Sequence, residues 1–419
     1  MTNAQDVSTT RLAAMHDFAS KLLQPELLPR LVEYVRWQID RRDAGEAAET
    51  PPPPLARAPI SINLDLTTAC NYACDHCVDF DILNSGVKFE HEKLERSLEQ
   101  LAERGLRSVI VIGGGEPTTY PRFVSILEHM KRLGLQVGVV TNGSNMERMR
   151  EAAPALTALD WVRLSLDAGH DATFQAMHRP KKRITLDEIC AGVRPVKQAN
   201  PAVQVGFSFI ITWDECHADG RAIVENIEEI VVATRRARDA GFDYVSFKPF
   251  LERAEENSAE IVDLAREGQA AKTARVVARI RTLVDEAKTL ERDGFRVIES
   301  TNLRVLENGT HGDYTRQPQQ CHMQFFRQVL SPLGMYNCPV YRHVEQARVG
   351  DRHAWADARG ADEAAHTTAR LIETFDASHE CRHVVCLYNH VNHVIEDLIR
   401  HPEMLDALRP VEGRGETFL

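Results

Sequence analysis

Between about residue 60 and residue 250 the sequence alternates between two periodicities, and this alternation limits the possible folds more than any other feature. Runs of side-chain period two mark strands at Ile62–Leu66, Ser108–Ile112, Gln136–Thr141, Trp161–Leu166, Val203–Thr212 and Tyr244–Phe247. Amphipathic stretches between them predict helices at Glu90–Arg104, Phe123–Leu133, Ser144–Ala153, Leu186–Ala199 and Ile223–Ala240. In the first of these helices Leu94, Leu98 and Leu101 share one face. Repeats of this kind imply an α/β fold, a parallel sheet with helices outside. Right-handed crossovers curl such a sheet into a partial or complete (β/α) TIM-like barrel, and barrel chemistry sits at the C-terminal ends of the strands.

Two cysteine groups attach chemistry to that frame. Cys70, Cys74 and Cys77 follow the first strand in a C-x3-C-x2-C loop. Three thiolates in one loop suit three irons of a cubane and leave the fourth iron open, since closed clusters use four cysteines. A zinc loop or redox thiols are the bland alternatives, but zinc favours C-x2-C pairs, and His76 adjoins Cys77 too closely to converge with it on one ion. Cys321, Cys338, Cys381 and Cys386 form the second group. The run Phe325–Leu330, the turn Ser331–Gly334 and the return through Met335 predict a hairpin flanked by Cys321 and Cys338. Cys381 and Cys386 lead into a helix from about Leu387. A structural zinc would also suit these four thiolates. Cys190 falls on the apolar face of a predicted helix and reads as core.

The C-x3-C-x2-C loop, followed by Gly113-Gly114-Gly115-Glu116-Pro117 after the next strand, resembles the radical S-adenosylmethionine (SAM) superfamily over about Ile60 to Phe250. The resemblance implies a [4Fe–4S] cluster on Cys70, Cys74 and Cys77, with SAM on its open iron. It also implies SAM contacts from Gly114, Gly115 and Glu116 and from the strand-end residues Asn142, Ser165 and Asp167. Period two puts Ser165 and Asp167 on one face, although Asp167 also suits a helix cap and Asn142 a turn. The later cysteines resemble the SPASM/twitch extension, which implies one auxiliary [4Fe–4S] cluster on Cys321, Cys338, Cys381 and Cys386. The layout departs from that pattern in the wide C-x4-C pair. Cys216, beyond the fifth strand, is a candidate hydrogen-atom donor or an incidental loop thiol, and Lys248 a carboxylate-binding or solvated lysine. A low-potential electron donor such as flavodoxin or ferredoxin is the implied protein partner.

Organisation and composition frame these expectations. Residues 1–55 read as a helical appendage, with helices near Thr10–Leu23 and Pro25–Arg42, ending in the stiff Pro51–Pro54 linker. Residues 56–300 read as the barrel and 301–419 as a small cysteine-rich twitch-like domain with a C-terminal helix. Residues 252–293 are helix-prone, Phe295–Glu299 resembles a further strand, and 300–320 are loop-like. A net charge of −11 argues against a nucleic-acid partner. No apolar run of about 18 residues predicts a membrane span, and the N-terminus lacks a signal-peptide layout, which predicts a cytoplasmic protein with reduced thiols. The leading functional expectation is oxidation of a small sugar- or cyclitol-like natural-product intermediate. Peptide maturation by a thioether or C–C crosslink, sugar epimerisation or dehydration, and a non-enzymatic zinc-binding interaction protein are the alternatives.

Overall fold

The structure, a computed structural model, describes residues 17–44, 57–214, 216–218, 220–253, 260–261 and 270–419. The predicted Pro51–Pro54 linker, the start of the first helix and parts of 252–269 lie outside these residues. Two N-terminal helices, α1 (Phe18–Leu22) and α2 (Leu28–Ala44), precede the sheet. The repeats then run β1 (Ser61–Leu64), α3 (His91–Glu103), β2 (Ser108–Val111), α4 (Phe123–Arg132), β3 (Gln136–Thr141), α5 (Met146–Ala152) and β4 (Trp161–Ser165). They continue through α6 (Asp171–His178), α7 (Leu186–Ala191), α8 (Val193–Ala199), β5 (Gln204–Ile211), α9 (Ile230–Ala240), β6 (Tyr244–Pro249), α10 (Ala270–Lys288), β7 (Arg296–Glu299) and α11 (Thr301–Asn308). The last part of the chain forms β8 (Arg327–Ser331), β9 (Gly334–Tyr336), β10 (Arg348–Gly350), α12 (Ala358–Thr374) and α13 (Asn389–Arg400).

These ten strands form one sheet in the order β7-β6-β5-β4-β3-β2-β1-β8-β9-β10, and four short strands outside it, Glu252–Arg253 with Glu260–Ile261 and His217–Ala218 with Arg221–Ala222, form two separate pairs. Pairing is parallel from β7 to β8 and antiparallel from β8 through β10. Among the described residues β7 and β10 do not pair, so the barrel is partial. Outward-facing Val109, Val111, Val137, Val139, Val162 and Leu164 are fully buried against the helices, which is where most of the apolar burial lies. The expected strand near 295–299 is β7, an edge strand parallel to β6. The hairpin that carries Cys338 belongs to the same sheet as the barrel, with Ser61 to Leu64 paired to Arg327 to Leu330.

Several local expectations change. The helix expected over Leu186–Ala199 breaks at Gly192, where a Cβ would press on Met146. Asp171–His178, not expected as an element, is helical. The helix expected from Ile223 starts at Ile230, because Asn226 is held by Thr212 and turned inward. The loop expected over 300–320 contains α11, capped by the Ser300 side chain and closed by left-handed Gly309 at φ +65°. β10 and α12 were not anticipated either; α12 packs Ala361, Ala364 and Leu371 inward. No helix among the described residues is long and apolar enough to cross a membrane.

Candidate metal centre

The Cys70–Cys77 loop leaves the C-terminal end of β1 and is fastened to the glycine loop after β2. The Gly115 N–H donates to the Thr67 carbonyl at 2.7 Å and the Glu116 N–H to the Ala69 carbonyl at 2.9 Å. A Cβ on Gly114 would sit 2.7 Å from the Thr67 oxygen, and one on Gly115 would collide with the Ala69 carbonyl. These glycines therefore allow two backbones to approach as no other residue would. The backbone N–H of Cys70 also donates to Asn84 Oδ1 at 3.1 Å.

Glu116 is buried, and its carboxylate is fully engaged. Oε1 accepts from the hydroxyls of Thr118 and Thr141, both at 2.6 Å, and Oε2 from the Asn142 N–H at 2.7 Å. Burial raises its pKa, and these bonds pull against the shift. Glu116 thus ties the glycine loop to the end of β3. Asn142 in turn donates from Nδ2 to Asn71 Oδ1 at 2.9 Å, reaching back into the cysteine loop.

Below the loop lies a polar group that the sequence reading did not anticipate. His178 Nδ1 is 3.2 Å from Cys74 Sγ, and His178 Nε2 is 3.0 Å from the Leu166 carbonyl. Asp167 Oδ2 lies 3.2 Å from His76 Nε2 and 3.3 Å from His178 Nε2, while Oδ1 accepts from the Ile210 N–H at 2.7 Å. Burial would raise the Asp167 pKa, but the His178 and His76 bonds overcome it and hold the carboxyl below the usual range. Asp167 departs from the expected alternation with Ser165: the strand ends at Ser165, and Asp167 is left-handed at φ +50°. Ser165 stands partly exposed at the strand end beside Ser208.

A second unanticipated cluster crosses the mouth. Asp65, wholly buried just past β1, has no hydrogen-bond donor on either carboxylate oxygen. Arg342, four residues after Cys338, forms an ion pair with Asp79 at 2.9 Å, and His343 Nε2 lies 4.0 Å from Asp65 Oδ2. Burial, tempered by Arg342 and reinforced by Asp79, pushes the Asp65 carboxyl up to about 8. The signal for Asp65 was present in the alternation itself. Ile62, Leu64 and Leu66 point to the helices, so Asn63 and Asp65 point inward.

Cys321, Cys338, Cys381 and Cys386 line one cavity with Tyr341, Tyr388 and Asn392. Burial and the adjacent Cys338 push the Cys321 thiol up to about 12; burial and the neighbouring thiols likewise raise Cys381 and Cys386. In the first group burial raises Cys70 and Cys74, and it pushes Cys77 up to about 12 with Asp79 adding to it. Among the described residues, no three sulfurs of either group lie within 4.8 Å of one another. A tetrahedral zinc with bonds of about 2.3 Å would bring its sulfurs to about 3.8 Å apart. A cubane, with a separate iron for each thiolate, needs wider spacing. Cys216 is buried in the main core, where its sulfur accepts from the Trp213 N–H at 3.4 Å, and Lys248 is partly exposed on β6.

The sequence pattern of the radical SAM superfamily matches residues 64–219. An S-adenosylmethionine-dependent nucleotide dehydratase from Flammeovirga pacifica is 33% identical over 134 residues, which are 31% of this chain and 46% of that protein. The PqqA peptide cyclase of Rhodopseudomonas palustris is 31% identical over 131 residues, 31% of this chain and 33% of that protein. The chain spans about half the length of the first curated relatives it matches. Among solved structures, anSMEcpe with bound AdoMet aligns with a TM-score of 0.51 at 14% identity, covering 83% of this chain and 98% of that one, a likeness of fold. The matched segment contains both the cysteine loop and the glycine loop fastened to it, and over residues 64–219 the chain is similar to the radical SAM superfamily, whose members work with a [4Fe–4S] cluster and S-adenosylmethionine.

Proposed function

We propose that the chain is a radical SAM enzyme with two cluster sites that oxidises a small polyhydroxylated molecule. In this reading Cys70, Cys74 and Cys77 hold the SAM-binding cluster, and Cys321, Cys338, Cys381 and Cys386 an auxiliary one. The observation that carries the reading is the convergence of Cys321, Cys338, Cys381 and Cys386 on one cavity, on the same chain as a three-cysteine loop bonded to the glycine loop. When bound, these groups supply reductive cleavage of SAM to methionine and a 5′-deoxyadenosyl radical, hydrogen-atom abstraction from substrate, and an acceptor for the electron left behind.

The protein's own residues divide into those that bind and those that brace. Gly114, Gly115, Asn142 and Ser165 lie on the rim and are the SAM-facing residues of this reading. Glu116 and Asp167 act through neighbours, since their carboxylates are taken up by Thr118, Thr141 and Asn142 and by His76, His178 and Ile210. Asp65, Asp79, Arg342 and His343 supply the substrate side. Two carboxylates against one guanidinium favour a ligand rich in hydroxyl donors over a phosphorylated or carboxylated one. Asp65, with no donor on its oxygens, is the acceptor for a substrate hydroxyl proton. A peptide is the second reading, favoured by the relatives' names: PqqA peptide cyclase and mycofactocin maturase.

Anoxic reconstitution with iron and sulfide, followed by dithionite and SAM, tests the core of this function. The expected product is 5′-deoxyadenosine, with one oxidised substrate formed per SAM consumed when a polyol or aminocyclitol substrate is present. Absence of deoxyadenosine from the fully loaded protein rules the radical SAM reading out. Deoxyadenosine stimulated by short peptides and not by polyols transfers the substrate assignment to the second reading.

A further inference from the structure

The cysteine loop is backed by a basic segment that its own chemistry does not require. His178-Arg-Pro-Lys-Lys-Arg183 follows α6, and Arg179, Lys181, Lys182 and Arg183 are all exposed. This concentration of positive charge stands on a chain of net charge −11. Its position is fixed by contacts to the loop. The Lys181 ammonium donates to the Cys70 carbonyl at 2.8 Å, and the Lys181 N–H to the Asn71 carbonyl at 3.0 Å. The Arg179 Nε–H donates to the Ala73 carbonyl at 3.0 Å, and the same guanidinium pairs with Asp75. The Ala73 and Asp75 N–H groups return bonds to the His178 and Met177 carbonyls, both at 3.2 Å. Lys182 and Arg183 are exposed, with Glu188 the acidic neighbour of Arg183. Phe80, three residues past Cys77, adds an apolar side chain that is 47% exposed.

We infer that this segment is the docking surface for an acidic one-electron carrier protein that delivers its electron through the Cys70–Cys77 loop. The inference rests on the function proposed above, because reductive SAM cleavage consumes one electron per SAM and the chain provides no reductant. Electron transfer falls steeply with distance, so a donor must seat against the loop that holds the acceptor. The step is a single-electron transfer: the reduced carrier is oxidised by one electron, the site held by Cys70, Cys74 and Cys77 gains it, and no proton moves. A basic patch on an otherwise acidic protein steers an acidic partner to one place and repels it elsewhere. Redox encounters are small and transient, so a few charges around one exposed aromatic suffice, and the attraction should fade with salt.

The test uses the reconstituted full chain, a reduced acidic flavodoxin as the carrier, and the double variant K182E/R183E. Both side chains are exposed, so folding should be unaffected; iron content and thermal unfolding check this. The expected result is that flavodoxin-driven deoxyadenosine formation at low salt falls at least about tenfold, through the carrier concentration needed for half-maximal rate, while dithionite-driven formation is unchanged. The wild type should lose its advantage as salt is raised, and the variant should show little salt dependence. An unaltered flavodoxin-driven rate overturns the inference, as does a parallel fall in the dithionite-driven rate. Loss of binding to an acidic peptide with no change in the flavodoxin-driven rate assigns the patch to a peptide and overturns it as well. Failure of the wild type to make deoxyadenosine even with dithionite would instead remove the proposed function.

Discussion

Asp167 joins three elements through one carboxylate: His76 from the cysteine loop, His178 from the end of α6 and the Ile210 N–H of β5. Its backbone carbonyl adds a fourth link by accepting from Asn226 Nδ2 at 2.7 Å. All of this is buried, so removal of the carboxylate leaves donors without acceptors. Asp167→Ala is expected to lower stability by about 3 kcal/mol or more, the scale seen when one partner of a buried charged group is removed. Urea unfolding of the purified protein measures this, and an unchanged midpoint would show that the network is not a brace. Gly115 makes a complementary point at the same scale. No side chain is tolerated there, because the Ala69 carbonyl occupies the space a Cβ would need.

At the level of elements, α2 and α13 are clamped together beside the second cysteine group. Arg42 on α2 donates to both oxygens of Glu396 on α13, at 3.2 and 2.8 Å. Glu396 also lies 3.1 Å from Nε2 of His322, whose Nδ1 is 2.8 Å from the Tyr34 hydroxyl. Burial would raise the Glu396 pKa, but the His322 and Arg42 bonds outweigh it and hold the carboxyl below the usual glutamate value of about 4.3. A depressed folded-state pKa contributes stability above the unfolded value and loses it as pH falls through the lower folded value. Glu396→Gln is therefore expected to be less stable than the wild type at pH 7. The gap should narrow as pH falls below about 4. Denaturation midpoints across that range decide it; a gap that stays constant down to acid pH would show that the carboxylate is not the source.

For the whole molecule, the continuous sheet matters most. β8 pairs with β1, the strand that leads into Cys70, so the hairpin carrying Cys338 extends the barrel's own sheet. Arg342 then crosses to Asp79, tying the second cysteine region to the rim of the first. Two clusters predict about eight irons and eight sulfides in the reconstituted chain. Replacing Cys70, Cys74 and Cys77 together with alanine should leave about four irons and abolish SAM cleavage. Replacing Cys381 and Cys386 should also leave about four irons while SAM cleavage persists. Iron and sulfide analysis reads both outcomes, and zinc without sulfide in either variant would overturn the corresponding assignment.

Local periodicity and local chemistry were sufficient to specify the parallel strands β1 to β6, most of their helices, and the common rim of the cysteine and glycine loops. Each of those signals is carried within a few residues of sequence, in the spacing of apolar side chains or in the spacing of cysteines. Only the tertiary structure decided which distant groups meet. Asp65, Asp79 and Arg342 come together because β8 pairs with β1, a contact between segments far apart in the chain. The bracing roles of Glu116 and Asp167 were equally hidden, since an acid at a strand end reads alike whether it faces a ligand or its own neighbours. Asp167 turned from the expected face because one left-handed residue ends the alternation, and a period-two pattern carries no mark of where it stops. The sequence by itself determined where the thiols lie along the chain; long-range strand pairing and packing decided which carboxylates, imidazoles and guanidinium surround them.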